Sequence, residues 1–141
     1  MPEIVNNQRK IKIDREIFQT FADNVSKRIS EIEGKDFTIA FVSDKKMREL
    51  NKNFRAKSST TDVLSFPFEA DEFDAEDNNL GDIAISLEQA ERQARENNLD
   101  FEAEIKQLIL HGILHLCGYD HETDGGEMNM RELELRDKLF I

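Results

Sequence analysis

His111, His115 and His121 are the chain's three histidines, and all fall within the run HGILHLCGYDH at 111–121. Histidines at i and i+4 share one face of a helix and can aim two imidazole nitrogens at one ion about 2.0–2.1 Å away. Such a pair alone is more often hydrogen-bonded core than ligand. Here a third histidine follows Gly118, a residue that tolerates positive φ and lets the chain turn back on itself. The clustering points to a metal site with His111, His115 and His121 as ligands. Imidazole is a borderline ligand and few oxygens are at hand, so one Zn2+ per chain is expected rather than magnesium. Three protein ligands leave a fourth position for water or substrate, the catalytic rather than the closed structural pattern.

The same spacing occurs in the zinc-metalloprotease helix H-E-x-x-H-x-x-G-x-x-H, where the glutamate is the general base. Gly112 stands at that position here. A peptidase reading therefore lacks its base, unless an acid arrives from elsewhere in the fold. A third reading is a non-enzymatic protein with a structural, fully closed zinc. Cys117 lies about 120° from His111 on the helical wheel and reads as a small core thiol rather than a fourth ligand. Asp120, beside His121, either orients a ligand from behind or is an ordinary turn residue.

The helix that carries the histidines, from Asp100 to Leu116, is apolar nearly all round. Ile105, Ile109, Ile113 and Leu116 form one face, and Leu110, Leu114 and Cys117 extend it. A narrow polar stripe of Glu104, Gln107, His111 and His115 remains. A helix of this kind is buried, so its stripe must open onto a cleft. Around it, EIVNN reads as a short strand. Asp14 caps a helix running to about Glu33, with Gly34 as its stop. DFTIAFVS (36–43) alternates as a strand. Residues 44 to about 54 form an amphipathic helix in which Met47, Leu50 and Phe54 share one side, with Lys45, Arg48 and Lys52 roughly opposite. VLSFPFE (63–69) and LGDIAIS (80–86) read as an antiparallel pair. SLEQ is a capping box that opens a helix to about Asn98, and a last helix spans Gly126 to Leu139. The order implies one α/β (α+β) domain, a small mixed β-sheet of about four strands covered by about five helices.

At 141 residues the chain is long enough for a core of two or three layers. Its longest apolar run falls far short of the ~20 residues of a membrane span, and its first residues lack the pattern of a signal peptide. One cysteine fits a reducing cytoplasm. The net charge of −11 argues against generic binding to duplexes, DNA included. The charge is segregated, however. Residues 45–57 hold Lys45, Lys46, Arg48, Lys52, Arg55 and Lys57 against Glu49 alone, whereas 69–77 is acidic without a base. Arg55 and Lys57 enter the VLSFPFE strand, and an arginine fork there suits a phosphate.

Three stretches in this order, HGILHLCGYDH, FRAKSSTTDVLSFPF and LGDIAIS, make the whole chain resemble the YbeY family of bacterial metal-dependent endoribonucleases, also described as rRNA maturation factors. The first matches the family pattern H-G-x-L-H-L-x-G-Y-D-H throughout. The resemblance implies a small α/β fold with zinc on His111, His115 and His121. It also implies cleavage of single-stranded RNA, in maturing the 3′ end of small-subunit rRNA and in ribosome quality control. Arg55 stands where the family has its functional arginine. The ribosome or its small subunit becomes the expected partner. A basic track of Lys45, Arg48, Lys52, Arg55 and Lys57 is expected along one wall of the metal cleft, binding RNA, with the acidic run outside the strand's path.

Overall fold

A computed structural model describes residues 2–55, 61–68, 78–120, 124–139 and 141. Among these residues the strands are β1 (Glu3–Asn6), β2 (Asp36–Val42), β3 (Val63–Pro67) and β4 (Asn79–Ser86). They form one mixed sheet in the order β1-β2-β4-β3, with β3 antiparallel to β4 and the other pairings parallel. Among the described residues the helices are α1 (Arg15–Arg28), α2 (Asp44–Arg55), α3 (Leu87–Glu96), α4 (Phe101–Leu116) and α5 (Glu127–Leu139). The expected α/β class is the observed one. None of the helices is long and apolar enough to cross a membrane.

Alternation along the strands sorts the core into two layers. Phe37, Ile39, Phe41, Ile83 and Ile85 face α1 and α4, and the inward residues of α3 and α5 join the same cluster. Ala40, Val42, Leu64, Phe66 and Ala84 point the other way and meet Met47 and Leu50 of α2. The small alanines let α2 approach, and its exposed Lys45, Arg48 and Lys52 then point away from the sheet. The histidine helix and the basic helix therefore lie on opposite faces.

The first helix ends earlier than its apolar spacing implies. Asp14 caps α1 as expected, its side chain accepting from the Glu16 N–H, but Ile29 is already extended, at φ −99° and ψ 113°. A 3₁₀ turn, Ser30–Ile32, follows. Ile29 and Ile32 are both fully buried, and a three-residue spacing suits a 3₁₀ turn as well as an α-helix. The other element bounds agree with the sequence reading to within two residues.

Candidate metal centre and its cleft

A cleft of about 600 Å³ opens between the C-terminal half of α4, the turn after it, and the edge strand β3. His111, His115, Gly118, Tyr119 and Asp120 line one side, and Thr61, Asp62, Val63, Ser65 and Pro67 the other. The buried apolar faces of α4 pin the helix against sheet and helices. Its histidine stripe is thereby left at the one side where the edge of the sheet ends.

The Nε2 atoms of His111 and His115 stand 3.1 Å apart, with the rings edge to face at 4.7 Å between centroids. Two nitrogens on one tetrahedral ion, each 2.0–2.1 Å away, are separated by roughly 3.3–3.4 Å. The pair therefore fits a shared zinc. Behind it, Nδ1 of His111 lies 3.5 Å from Oε2 of Glu132 on α5. That contact places the Nδ1 proton toward the carboxylate and turns the Nε2 lone pair toward the cleft. Burial opposes ionisation of Glu132, but His111 and Arg136 together hold its carboxyl below the usual range. Arg136 bonds the second Glu132 oxygen at 3.2 Å. A backing carboxylate of this kind typically changes metal affinity 10–100-fold. Zinc competition against a chelator should show about a tenfold loss for Glu132→Gln and a loss nearer 100-fold for Glu132→Ala. Unchanged affinity in both variants would refute the role.

Gly112 explains the missing protease glutamate. Its position faces the sheet rather than the cleft, and a Cβ there would come within 2.8 Å of the Ile83 side chain. Only glycine lets α4 sit this close to β4. Ser65 of β3 donates to the Gly112 carbonyl at 3.1 Å, tying the edge strand to the same turn of helix. An acid at 112 would thus be driven into packed core, so any base must come from the cleft's other walls. Among the described residues the acids lining it are Asp62 and Asp120. The charge of Asp62, after burial, also raises the carboxyl of Glu104, two turns before His111 on the same stripe.

The turn after α4 is held from a distance. Gly118 takes φ +96°, the left-handed excursion its position in the motif implied. Tyr119 donates to Oε2 of Glu31 at 3.0 Å. Arg131 of α5 grips both Glu31 oxygens, at 2.9 and 2.6 Å. The Arg131 guanidinium, aided by Tyr119 and opposed by burial, holds Glu31 at about 2 against an ordinary 4.5. A depressed carboxylate stabilises the fold fully above its unfolded pKa, and the gain is lost as pH falls through the folded one. The advantage of wild type over Glu31→Gln, at most about 3 kcal/mol, should be full above pH 4.5 and vanish toward pH 2. Urea unfolding at pH 7, 4 and 2.5 measures it. An advantage independent of pH would contradict the assignment.

The other expected residues divide. Lys45, Arg48 and Lys52 do not line the cleft, because α2 covers the opposite face of the sheet. The expectation of a basic cleft wall is corrected to that extent. Arg55 is the last residue of α2. Its side chain, with Lys57, His121 and the acidic run 69–77, lies outside the described residues. Among the described residues no group of three metal-ligand side chains forms. Cys117 is half-buried against the core, and burial, reinforced by the Glu31 charge, pushes its thiol up to about 11. Glu132 escaped the sequence reading, although an acid on the stripe of Met128 and Leu135 carries a signal: both neighbours are buried.

Residues 3–138 match the family described as Endoribonuclease YbeY. A curated relative of that name from Clostridioides difficile is 39% identical over 136 residues, covering 92% of this chain and 88% of its own. One from Nautilia profundicola is 47% identical over 107 residues, covering 76% and 74%. Among solved structures, the solution structure of TM1509 from Thermotoga maritima superposes with a TM-score of 0.68 at 28% identity, covering 99% of this chain and 89% of that one.

Proposed function

The chain belongs to the YbeY endoribonuclease family, and on that premise we propose that it is a zinc-dependent endoribonuclease cutting single-stranded RNA. The observation that carries the reading is the pair of Nε2 atoms 3.1 Å apart, at the side of an open cleft and backed by a buried carboxylate. His111, His115 and His121 would hold the ion. A zinc ion held there would lower the pKa of a water from about 15.7 toward about 7 and would bring positive charge beside a phosphate. Arg55 adds its donors to the phosphate oxygens as charge grows on them. Asp62 or Asp120 takes the proton from the attacking water. Of Asp62→Asn and Asp120→Asn, the variant lacking the base should lose about 10²–10⁴-fold in rate with full zinc content. Normal cleavage by both would exclude this source of the base.

The biological substrate in this reading is rRNA, at the 3′ end of the small-subunit molecule, met on the ribosome during maturation and quality control in the cytoplasm. A peptidase has one observation in its favour. Strand β3 is an edge strand along the cleft, and an extended peptide can add to such an edge. Gly112 counts against it, since the helix packs too closely there for the acid. Zinc-loaded protein and its His115→Ala variant, assayed in parallel on single-stranded RNA and on casein, decide between them. RNA cut by wild type alone, with casein intact, is expected. Casein cut instead of RNA would overturn the proposal.

A further inference from the structure

The apolar stripe of α2 does not end where the sheet ends. Met47 is fully buried and Leu50 partly so, but Phe54 is 66% exposed. It stands one turn beyond Leu50, where α2 runs out over the edge strand. Its ring is not loose there. It sits edge to face on Phe66 of β3, with centroids 5.0 Å apart and planes at 68°. Phe66 in turn packs on the small cluster under α2. Phe68 continues the β3–β4 pairing, its N–H donating to the Leu80 carbonyl at 3.1 Å. It therefore alternates to the same side as Leu64 and Phe66, and it too is exposed, at 37%.

A single exposed phenylalanine is ordinary on a protein surface. Three features make this one different. It is held in place by another aromatic. It shares a helix with the exposed cations Lys45, Arg48 and Lys52, which lie on the side of α2 away from the sheet. And it stands beside the strand whose other side, Val63, Ser65 and Pro67, walls the histidine cleft. Proteins hold single strands without reading sequence by stacking bases on fixed rings while nearby cations follow the phosphates. A duplex, its bases already stacked, has no free face to offer.

We propose that Phe54, braced by Phe66, is a stacking subsite for an unpaired RNA base on the sheet face opposite the histidine cleft. The RNA strand crosses the C-terminal end of α2 from its basic side, stacks a base at Phe54, and rounds the edge strand β3 to present a phosphate to the cleft. This rests on the RNA reading above, and it restores a role to the cations that the cleft excludes. Phe54 rather than Phe68 is the residue to change, because the acidic run begins at Glu69.

The test is equilibrium binding of a single-stranded RNA carrying 2-aminopurine, whose fluorescence is quenched on stacking, to the full-length zinc-loaded protein. Phe54→Ala should bind about 5- to 100-fold more weakly and lose the quench. Phe54→Trp should restore both, whereas Phe54→Leu, which keeps the apolar surface without the ring, should restore neither. The salt dependence of binding should stay unaltered in all three, because no charge is removed. In Arg48→Ala combined with Lys52→Ala the salt slope should flatten, at about 0.7 per lost phosphate contact. If wild type binds RNA with a quench that Phe54→Ala retains, the subsite is wrong and the nuclease reading stands. Rescue by leucine would likewise overturn stacking. If wild type binds no single-stranded RNA, the reading beneath falls, and the subsite with it.

Discussion

His115→Ala should leave a folded protein that no longer holds zinc. His115 is half-buried at the cleft wall, so its loss opens space to water rather than a cavity in the core, and the metal-free stability should barely change. What disappears is one of the two nitrogens that meet 3.1 Å apart. Loss of a direct ligand should exceed the 10–100-fold effect of a backing carboxylate. The clearest readout is independent of catalysis. Zinc at about a thousand times its Kd stabilises a one-site protein by about 4 kcal/mol. For a chain of this size that raises Tm by roughly 10 °C or more. Wild type should show the shift and His115→Ala should not. An equal shift in both would mean that the ion binds elsewhere.

Arg55→Ala should do the reverse, keeping the zinc and losing the chemistry. Its proposed partner is substrate phosphate, where a planar fork of donors meets charge that grows in the transition state. Removing one such donor typically costs about 10²–10³-fold in rate. Lysine keeps the charge without the fork, so Arg55→Lys should recover only part of the loss. Single-turnover cleavage with saturating RNA, alongside elemental analysis, separates the two functions. Zinc loss in Arg55→Ala, or an unchanged rate, would show that the arginine has another job.

Most of the fold was legible in the sequence because its signals are local. Ser86 accepts from the Gln89 N–H at the start of α3, where the capping box stood. The alternating Phe37, Ile39 and Phe41 are all buried on one face. The apolar spacing of α4 foretold both its burial and the cleft beside its histidines. What stayed hidden depends on contacts between distant segments. A helical wheel shows which side of α2 is apolar but not which face of the sheet it covers, so Lys45, Arg48 and Lys52 were expected on a cleft wall that they do not line. The contact between His111 and Glu132 spans two helices; each segment marks its own residue locally, but neither shows that the two meet. Gly112 was visible as an absence. Its cause, the nearby Ile83 side chain, belongs to a strand far back in the chain.

The proposed nuclease stands on the α4 histidines, backed by Glu132, as a metal centre that cuts RNA. One titration tests it most directly: apo-protein receives zinc in steps while cleavage of a single-stranded RNA and bound metal are followed together, for wild type and for His115→Ala. Wild-type cleavage should rise in proportion to bound zinc and saturate at one ion per chain, with His115→Ala flat throughout. Cleavage at full rate before any zinc is bound, or cleavage by His115→Ala equal to wild type, would contradict it.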